Sequence, residues 1–349
     1  MIDTRKRLFY LDNLKVFLII LVIAHHAGQP YSGGGWWWYF TTSDSAYFGA
    51  FFAVNAAFFM SLFFLISAYF VPASLEKKGL GPFIRERLIR LGIPLVIGFV
   101  LLIPFSWPVI HFGHLWFLEH LLIYSVLYAI IQTLIWKNQK NQNQYVHKPF
   151  PTQLVIILFT LIVGLLTFVV RIQYPISAWI GFLGIIQTEF AHVPQYMCFF
   201  MVGIVAARNN WFTKIPKVVG MTWLLVGVII ALFLYTGNLN SIKTGGLNWG
   251  SLGYSMTETF LCSGLCIGLI FLFQLKANKT NKTLQLLSSN AFSIYIFHVP
   301  VVVSLQYIVE SLPVSAYFKF IIVIVLGVVI SFLISHFIIR KIPYLKKIF

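Results

Sequence analysis

Residues 8–26 read LFYLDNLKVFLIILVIAHH, and this stretch decides the fold class. It is an apolar run that carries Lys15 near one end and His25 and His26 near the other. About 20 mostly apolar residues are enough for a helix to cross a bilayer. Further apolar segments follow it, so a cleavable leader peptide is not expected. The stretch therefore predicts a membrane-spanning helix with ionisable groups inside it.

The composition of the whole chain agrees with this interpretation. Of 349 residues, 59% are hydrophobic and 10% are charged, and the mean hydropathy is +0.86. Soluble proteins average about 25% charged residues, so a cytosolic enzyme, a secreted domain and a disordered regulator are excluded. In a soluble protein the net charge of +16 would indicate a nucleic-acid partner. In a membrane protein the basic residues gather at cytoplasmic helix ends, so no nucleic-acid partner is expected. The three cysteines lie in apolar runs and predict neither a disulfide framework nor a zinc site.

Ten segments are long and apolar enough to span a membrane. The sequence thus predicts an all-α, polytopic bundle of about ten transmembrane helices that forms one membrane-embedded domain over residues 1–349. With the N-terminus in the cytoplasm, 22 of the 25 basic residues fall on the inner side, which places both termini there. The segments are 13–31, 48–71, 91–110, 115–136, 152–171, 191–208, 218–236, 252–275, 289–309 and 316–338.

The spacing of Lys15 and His26 makes them the strongest functional candidates. Eleven residues of helix return to nearly the same face, with an offset of about 20°, and rise roughly 16 Å. Asp12 lies one turn before Lys15 on the same stripe and can pair with it. The alternative is a snorkelling lysine and an interfacial histidine pair. If the pair is functional, we expect a polar shaft that joins Lys15 to His26.

Other ionisable groups fall within the predicted spans, where each costs roughly 2.5–3.5 kcal/mol at the bilayer centre. Such groups face a partner or a cavity, although each one alone can be a satisfied core residue. His111 and His114 could contribute to a metal site, but they do not form a closed ligand pattern, so no metal is expected. The remaining groups are Glu119, Glu189, Glu258 and His298.

Two further groups have both a structural and a functional interpretation. Arg85, Arg87 and Arg90 form a positive-inside anchor or hold a phosphate-rich ligand, and Arg87 and Arg90 face together if they share a helical turn. Trp36 and Trp37 form an interfacial aromatic belt or a stacking platform for a sugar.

Five motifs occur in order along the chain: the Lys15–His26 spacing, FFLISAYF at 63–70, Arg87 with Arg90, HLWFL at 114–118, and Tyr295 through Pro300. Together they resemble the acyltransferase-3 family of integral-membrane O-acyltransferases. The opening segment with HHAGQPYSGGGWWWYF is similar to the glucan-modifying branch of that family, the glucan biosynthesis protein C-like proteins. Two positions depart from the family pattern, since Lys15 stands where Arg is commoner and Ala68 where Gly is expected.

The resemblance implies transfer of an acetyl or succinyl group from cytoplasmic acyl-CoA to a hydroxyl of an exported or cell-envelope carbohydrate. Acetyl-CoA is the more general expectation for the donor. In this scheme Lys15 and the arginines hold the CoA phosphates. His26 is the general base or a transient acyl-histidine nucleophile, and Glu119 or Glu258 orients it. Further candidates for substrate contacts are Trp36, Trp37, His114, Trp116, Glu189 and His298.

Two other classes of function compete with this one. A transporter or flippase of glycans or small molecules also needs buried Lys, Glu and His, but paired Gly- or Pro-broken helices were not found. A structural or sensory membrane protein does not require Lys15 and His26 in phase. The expected location is a bacterial plasma membrane, with acyl-CoA, a carbohydrate acceptor and membrane lipid as partners. The sequence is also compatible with an oligomer.

Overall fold

The fold is an all-α bundle with one small hairpin. The computed structural model describes residues 7–31, 37–39, 46–106, 112–138, 147–176, 178–182, 186–237 and 245–348. The helices are α1 (Phe9–Gly28), α2 (Ala46–Tyr69), α3 (Val71–Lys78), α4 (Leu80–Arg87), α5 (Ile93–Ser106), α6 (Trp116–Asn138), α7 (Gln153–Gln173), α8 (Val193–Asn209), α9 (Lys217–Thr236), α10 (Trp249–Lys276), α11 (Lys282–Val309), α12 (Ala316–Leu333) and α13 (Pro343–Ile348). The strands are β1 (Trp179–Phe182) and β2 (Ile186–Glu189).

The prediction of a polytopic membrane bundle is confirmed. Within the described ranges, nine helices are long and apolar enough to cross a membrane. The tenth predicted segment, 91–110, contains the 14-residue helix α5, which follows a π-helical turn at Leu88–Gly92. Residues 107–111 lie outside the described part of the chain. The chain is therefore a multi-pass membrane protein, and the orientation of its termini stays a prediction.

Local sequence signals explain where several helices begin. The side chain of Asn248 accepts a hydrogen bond from the Ser251 backbone N–H at 2.9 Å, and that of Asn281 accepts one from Leu284 at 2.8 Å. Both asparagines cap helix N-termini, where backbone N–H groups have no partner within the helix. The polar residues at these chain reversals thus define the starts of α10 and α11.

The helices form two groups, which meet through α2 and through direct contact of α1 with α10. Helix α1 packs against α11 and α12, while α10 packs against α7 and α9. Helix α2 contacts α1, α8 and α10 and so bridges the groups. Close approach of α2 to α8 requires Gly203, because a Cβ atom there would lie 2.4 Å from the carbonyl oxygen of Leu65 and 2.7 Å from Ala68 Cβ. The FFLISAYF segment therefore forms a tight helix interface.

The hairpin of β1 and β2 lies in a region that the sequence predicted to be only a loop. The strands are antiparallel, and Trp179 pairs with Glu189. Hairpins of this length are stabilised by what they pack on rather than by themselves. Here the Thr188 side chain contacts Nε2 of His120 on α6 at 2.7 Å. The hairpin thus holds Glu189 beside the start of α8.

Candidate active site

Three imidazoles from three helical segments meet in one group, which we call the histidine cluster: His26 of α1, His114 just before α6, and His298 of α11. The ring centroids of His26 and His298 are 5.0 Å apart, and those of His114 and His298 are 4.8 Å apart. His114 and His298 are buried, and His26 is half-buried. Residues that are far apart in sequence therefore form one polar site within the apolar bundle.

A directed hydrogen-bond chain defines the protonation of two members. Nδ1 of His298 lies 2.7 Å from the carbonyl oxygen of Tyr295, which can only accept, so Nδ1 carries the proton. Nε2 of neutral His298 is then an acceptor, and it lies 2.8 Å from Nδ1 of His26. The two rings are nearly parallel, at 5°. His26 therefore donates from Nδ1 and presents an unprotonated Nε2.

His114 is held by backbone carbonyls of α11. Its Nε2 lies 3.1 Å from the oxygen of Tyr295 and 3.3 Å from that of Ile296. The Ile296 oxygen has no helical donor, because the residue four positions on is Pro300, which lacks an N–H. The Tyr295 hydroxyl in turn donates to the His114 carbonyl oxygen. The proline within α11 thus provides an anchoring point for the cluster.

Trp37 closes one side of the cluster. Its ring lies 5.1 Å from that of His26 at an angle of 29°, and its Nε1 donates to Oε1 of Gln306 at 2.8 Å. The Gln306 amide also donates to the carbonyl oxygen of His26 at 3.0 Å. Trp37 is therefore a buried wall of the site, whereas Trp36 lies outside the described residues.

The basic residues lie at the opposite end of α1. Lys15 lies 3.8 Å from Asp12 and over the ring of Phe70, as the sequence predicted for the lysine–aspartate pair. Phe70 immediately precedes α3, whose last residue, Lys78, forms an ion pair with Glu86 of α4. The hydrogen bond that Lys78 donates within this ion pair lowers the pKa of the Glu86 carboxyl group below its ordinary value. We call this region the basic end.

A surface cavity of about 440 Å³ lies at the basic end. Arg85 and Arg90 line it, and Arg90 is 3.3 Å from Glu86. Arg87 does not line this cavity and instead lies over the ring of Phe83, at 5.0 Å. A π-helical turn begins directly after Arg87.

The expected open shaft between Lys15 and His26 is not present in the described residues. Ile19 and Val22 lie between them on the shared face of α1 and are 6% and 2% exposed. Both belong to the continuous apolar core. Close packing of apolar side chains leaves no room for a ligand. The two ends of the helix are therefore separated in this structure by a packed layer.

Glu258 belongs to a different group, a buried ion network with Arg171, His192 and Glu189. Arg171 is fully buried and pairs with Glu258, and it also donates to Ser255 Oγ at 3.2 Å. His192 lies 2.8 Å from Glu258 and 2.9 Å from Glu189. The two carboxylates of this network compensate the charges of Arg171 and His192, and the contacts connect α7, the start of α8 and α10.

Glu119 and Trp116 lie near the start of α6. Glu119 is 7% exposed, and its Oε2 has no hydrogen-bond partner among the described residues. Trp116 stacks on Tyr196, which stacks on His192 of the ion network. Among the described contacts, neither Glu119 nor Glu258 reaches His26. His298 occupies the position beside His26 for which the sequence predicted a carboxylate.

Sequence reasoning did not identify Arg171 and Gln306. Arg171 is the last residue of the predicted segment 152–171, where a surface position is expected, yet it is fully buried. One signal was present, because an acidic residue inside a span, such as Glu258, requires a cationic or polar partner on another helix. Gln306 lies on α11, eight residues after His298, and nothing in its local sequence distinguishes it.

Comparison with known proteins gives a result at the level of a family. A family model described as an acyltransferase domain, of the acyltransferase-3 type, matches residues 8–340 and so covers nearly the whole chain. No curated protein matches the chain at a significant level.

Proposed function

The chain belongs to the acyltransferase-3 family, and we propose that it moves an acetyl or succinyl group from cytoplasmic acyl-CoA to a hydroxyl of an exported or cell-envelope carbohydrate. Family membership supports membrane O-acyltransferase activity in general. The donor, the acyl group, the carbohydrate acceptor and the bacterial plasma membrane are our proposals. Assignment to the glucan-modifying branch also stays a prediction.

The observation that carries the proposal is the hydrogen-bond chain from the Tyr295 carbonyl through His298 to His26. A general base needs a lone pair directed at the substrate and a neighbour that stabilises the protonated form. Nε2 of His26 supplies the lone pair, and Nε2 of His298 accepts from the opposite nitrogen. This arrangement performs the orienting role that a carboxylate plays in a catalytic triad.

The chemistry then proceeds by direct transfer. Nε2 of His26 takes the proton of the acceptor hydroxyl while the hydroxyl oxygen bonds to the thioester carbonyl carbon. The carbon–sulfur bond breaks, and the CoA sulfur leaves and takes the proton from His26. Because a thioester is already activated, positioning and one base are sufficient for the reaction.

The basic end is our proposed site for the CoA phosphates. Arg85 and Arg90 line the cavity of about 440 Å³, and guanidinium groups bind phosphate in a bidentate fork. Lys15 lies at the same end of α1 and adds positive charge. Since Ile19 and Val22 separate this end from His26, the helices must move before the thioester arm reaches the histidine cluster.

The acceptor is proposed to be a carbohydrate because its site has aromatic walls and hydrogen-bonding groups. Trp37 lies against His26, and Trp116 and Trp179 lie 6.4 Å apart, with Trp179 exposed. Aromatic faces pack on the apolar faces of sugars. A carrier without chemistry would not need the ordered donor and acceptor nitrogens of the histidine cluster.

The test is acyl transfer by the purified full-length chain in lipid nanodiscs. His26→Gln is compared with His25→Gln, since the contacts of His25 with the described residues, beyond its neighbour His26, are ring contacts with Phe52 and Phe59. We expect H26Q to lower transfer from acetyl-CoA to isolated envelope glycan by about 100-fold or more, and H25Q to have a small effect.

Retention of full acyl-CoA-dependent transfer by H26Q would contradict the catalytic assignment. Mass spectrometry of envelope glycans from deletion and wild-type strains identifies the acyl group and the acceptor. Competition between acetyl-CoA and succinyl-CoA in the same assay decides between the two donors. If neither thioester stabilises the wild-type chain against heat, the acyl-CoA proposal is wrong.

A further inference from the structure

The proposed reaction uses two of the three imidazoles in the histidine cluster and leaves the third unexplained. His114 is 6% exposed, and its ring centroid lies 6.0 Å from that of His26. A buried imidazole is costly unless both nitrogens are satisfied. Its Nε2 contacts the carbonyl oxygens of Tyr295 and Ile296, but its Nδ1 has no partner among the described residues.

The tautomer of His114 follows from these contacts. Carbonyl oxygens only accept hydrogen bonds, so Nε2 of His114 must carry the proton. No carboxylate is found among the described contacts of the ring, so a charged form would be uncompensated. Neutral His114 therefore presents a bare lone pair at Nδ1. His26 presents a second bare lone pair at Nε2.

The cluster thus offers two hydrogen-bond acceptors and no free donor at these two atoms. Its complement is a ligand with two donors held close together. An anion has no proton to donate to these two lone pairs and would be repelled by them. A single isolated hydroxyl would donate a hydrogen bond to only one of the two nitrogens. The two ring centroids lie 6.0 Å apart, a separation that a pair of hydroxyls on adjacent carbon atoms is able to bridge.

We propose that the acceptor presents a vicinal diol, with one hydroxyl at Nε2 of His26 and its neighbour at Nδ1 of His114. The inference rests on the proposed function and narrows its substrate class. His26 removes the proton of the first hydroxyl, whose oxygen forms the new ester bond as the carbon–sulfur bond breaks. The thiolate receives that proton. The second hydroxyl keeps its proton throughout and acts as the anchor, which makes His114 a specificity-determining residue.

The experiment compares two acceptors with equal numbers of hydroxyls. Octyl 4-deoxy-β-D-glucoside keeps the adjacent hydroxyls at carbons 2 and 3. Octyl 3-deoxy-β-D-glucoside retains hydroxyls only at carbons 2, 4 and 6, so no two of them are adjacent. Acetyl transfer from acetyl-CoA is measured with the full-length chain in nanodiscs. We expect kcat/KM to be about tenfold or more higher for the 4-deoxy acceptor, because the 3-deoxy acceptor leaves Nδ1 of His114 unpaired.

His114→Phe tests the residue. We expect it to reduce the preference to within about twofold, mainly by slowing transfer to the 4-deoxy acceptor. His114→Gln, which keeps a donor and an acceptor, should restore part of the preference. The matched control is His120→Phe on α6, the helix that follows His114, because both His120 nitrogens already have partners, Trp116 and Thr188. It should keep the discrimination of the wild type.

Equal rates of wild-type transfer to both glucosides would overturn the diol inference while leaving the acyltransferase proposal intact. Undiminished discrimination in His114→Phe would overturn the role of His114, as would an equal fall in both rates. Thermal stabilisation by acetyl-CoA without transfer to either glucoside would likewise overturn the diol inference. Absence of both transfer and stabilisation would contradict the proposed function itself.

Discussion

The reactivity proposed for His26 depends on one residue that holds its ring. His298→Phe keeps an aromatic ring at this position but removes the acceptor for Nδ1 of His26. The imidazole can then carry its proton on either nitrogen and loses the partner that stabilises its protonated form. We expect kcat to fall by about 100- to 10,000-fold, with little change in KM for acetyl-CoA.

His25→Phe is the matched control for this prediction. His25 neighbours His26 in sequence, and its buried Nδ1 has no partner in the described part of the chain. Steady-state kinetics should show only a small loss for H25F. An equally large loss in both variants would indicate that aromatic packing of this region, rather than the hydrogen bond to His298, is what supports activity.

The arginines at the basic end carry a prediction about the donor. Arg85→Ala combined with Arg90→Ala removes both guanidiniums from the surface cavity. We expect KM for acetyl-CoA to rise about tenfold or more, because charge-assisted contacts to phosphate are lost. Transfer from S-acetyl-N-acetylcysteamine, which has no phosphate, should be unchanged.

Lys214→Ala is the control for general loss of positive charge, since Lys214 is an exposed residue after α8. If the arginine variant loses activity equally with both donors, the cavity does not bind the nucleotide part of CoA. Kinetics with Arg87→Ala add a further comparison, because this arginine packs on Phe83 and does not line the cavity.

Single residues were only partly predictable from the sequence. Lys15 and His26 lie on one helix, so the helical period alone was enough to single them out. The pairing of His26 with His298 depends on how α1 and α11 sit against each other. The sequence of a single helix does not show how that helix is aligned with another one. The sequence therefore predicted a carboxylate beside His26, where the structure has the imidazole of His298.

At the scale of elements, the ion network holds α7, α8 and α10 together. Glu258→Gln leaves the fully buried guanidinium of Arg171 without its counter-charge. Breaking a buried pair in this way destabilises a protein by about 3–5 kcal/mol. We expect a lower midpoint of thermal unfolding and a corresponding loss of active protein.

Adding Arg171→Met to Glu258→Gln separates a structural role from a catalytic one. The double variant has no uncompensated charge at this position, and a Gln side chain can still contact Nε2 of His192. We expect most of the lost stability and activity to return. A stable but inactive double variant would show instead that the carboxylate itself participates in the reaction.

Elements were predicted well where they are long and apolar. Nine of the ten predicted segments contain helices that can span a membrane in the described residues, because burial in lipid requires an uninterrupted apolar run. The β1–β2 hairpin was missed, since its four-residue strands carry too little pattern and are supported by contact with His120. The π-helical turn after Arg87 was also missed.

At the scale of the whole molecule, the two functional ends are separated by a packed core. Ile19 and Val22 fill the face of α1 between Lys15 and His26. One helical turn after Ile19, α12 approaches α1 closely, since a Cβ atom at Gly327 would lie 3.2 Å from Cγ2 of Ile23. Two helices in such close contact move between distinct packing arrangements and do not deform gradually. Acyl transfer across the bundle therefore requires α1 to move against its neighbours.

A reversible cross-link between these helices tests that requirement. Ile23→Cys and Gly327→Cys are introduced after the three native cysteines have been replaced by alanine, and the disulfide is formed by oxidation. Because the link holds α1 against α12, we expect oxidation to stop acetyl transfer while thermal stabilisation by acetyl-CoA persists. Reduction should restore transfer, and each single-cysteine variant should be insensitive to oxidation. Full transfer by the cross-linked chain would mean that the thioester reaches His26 without separation of α1 from α12.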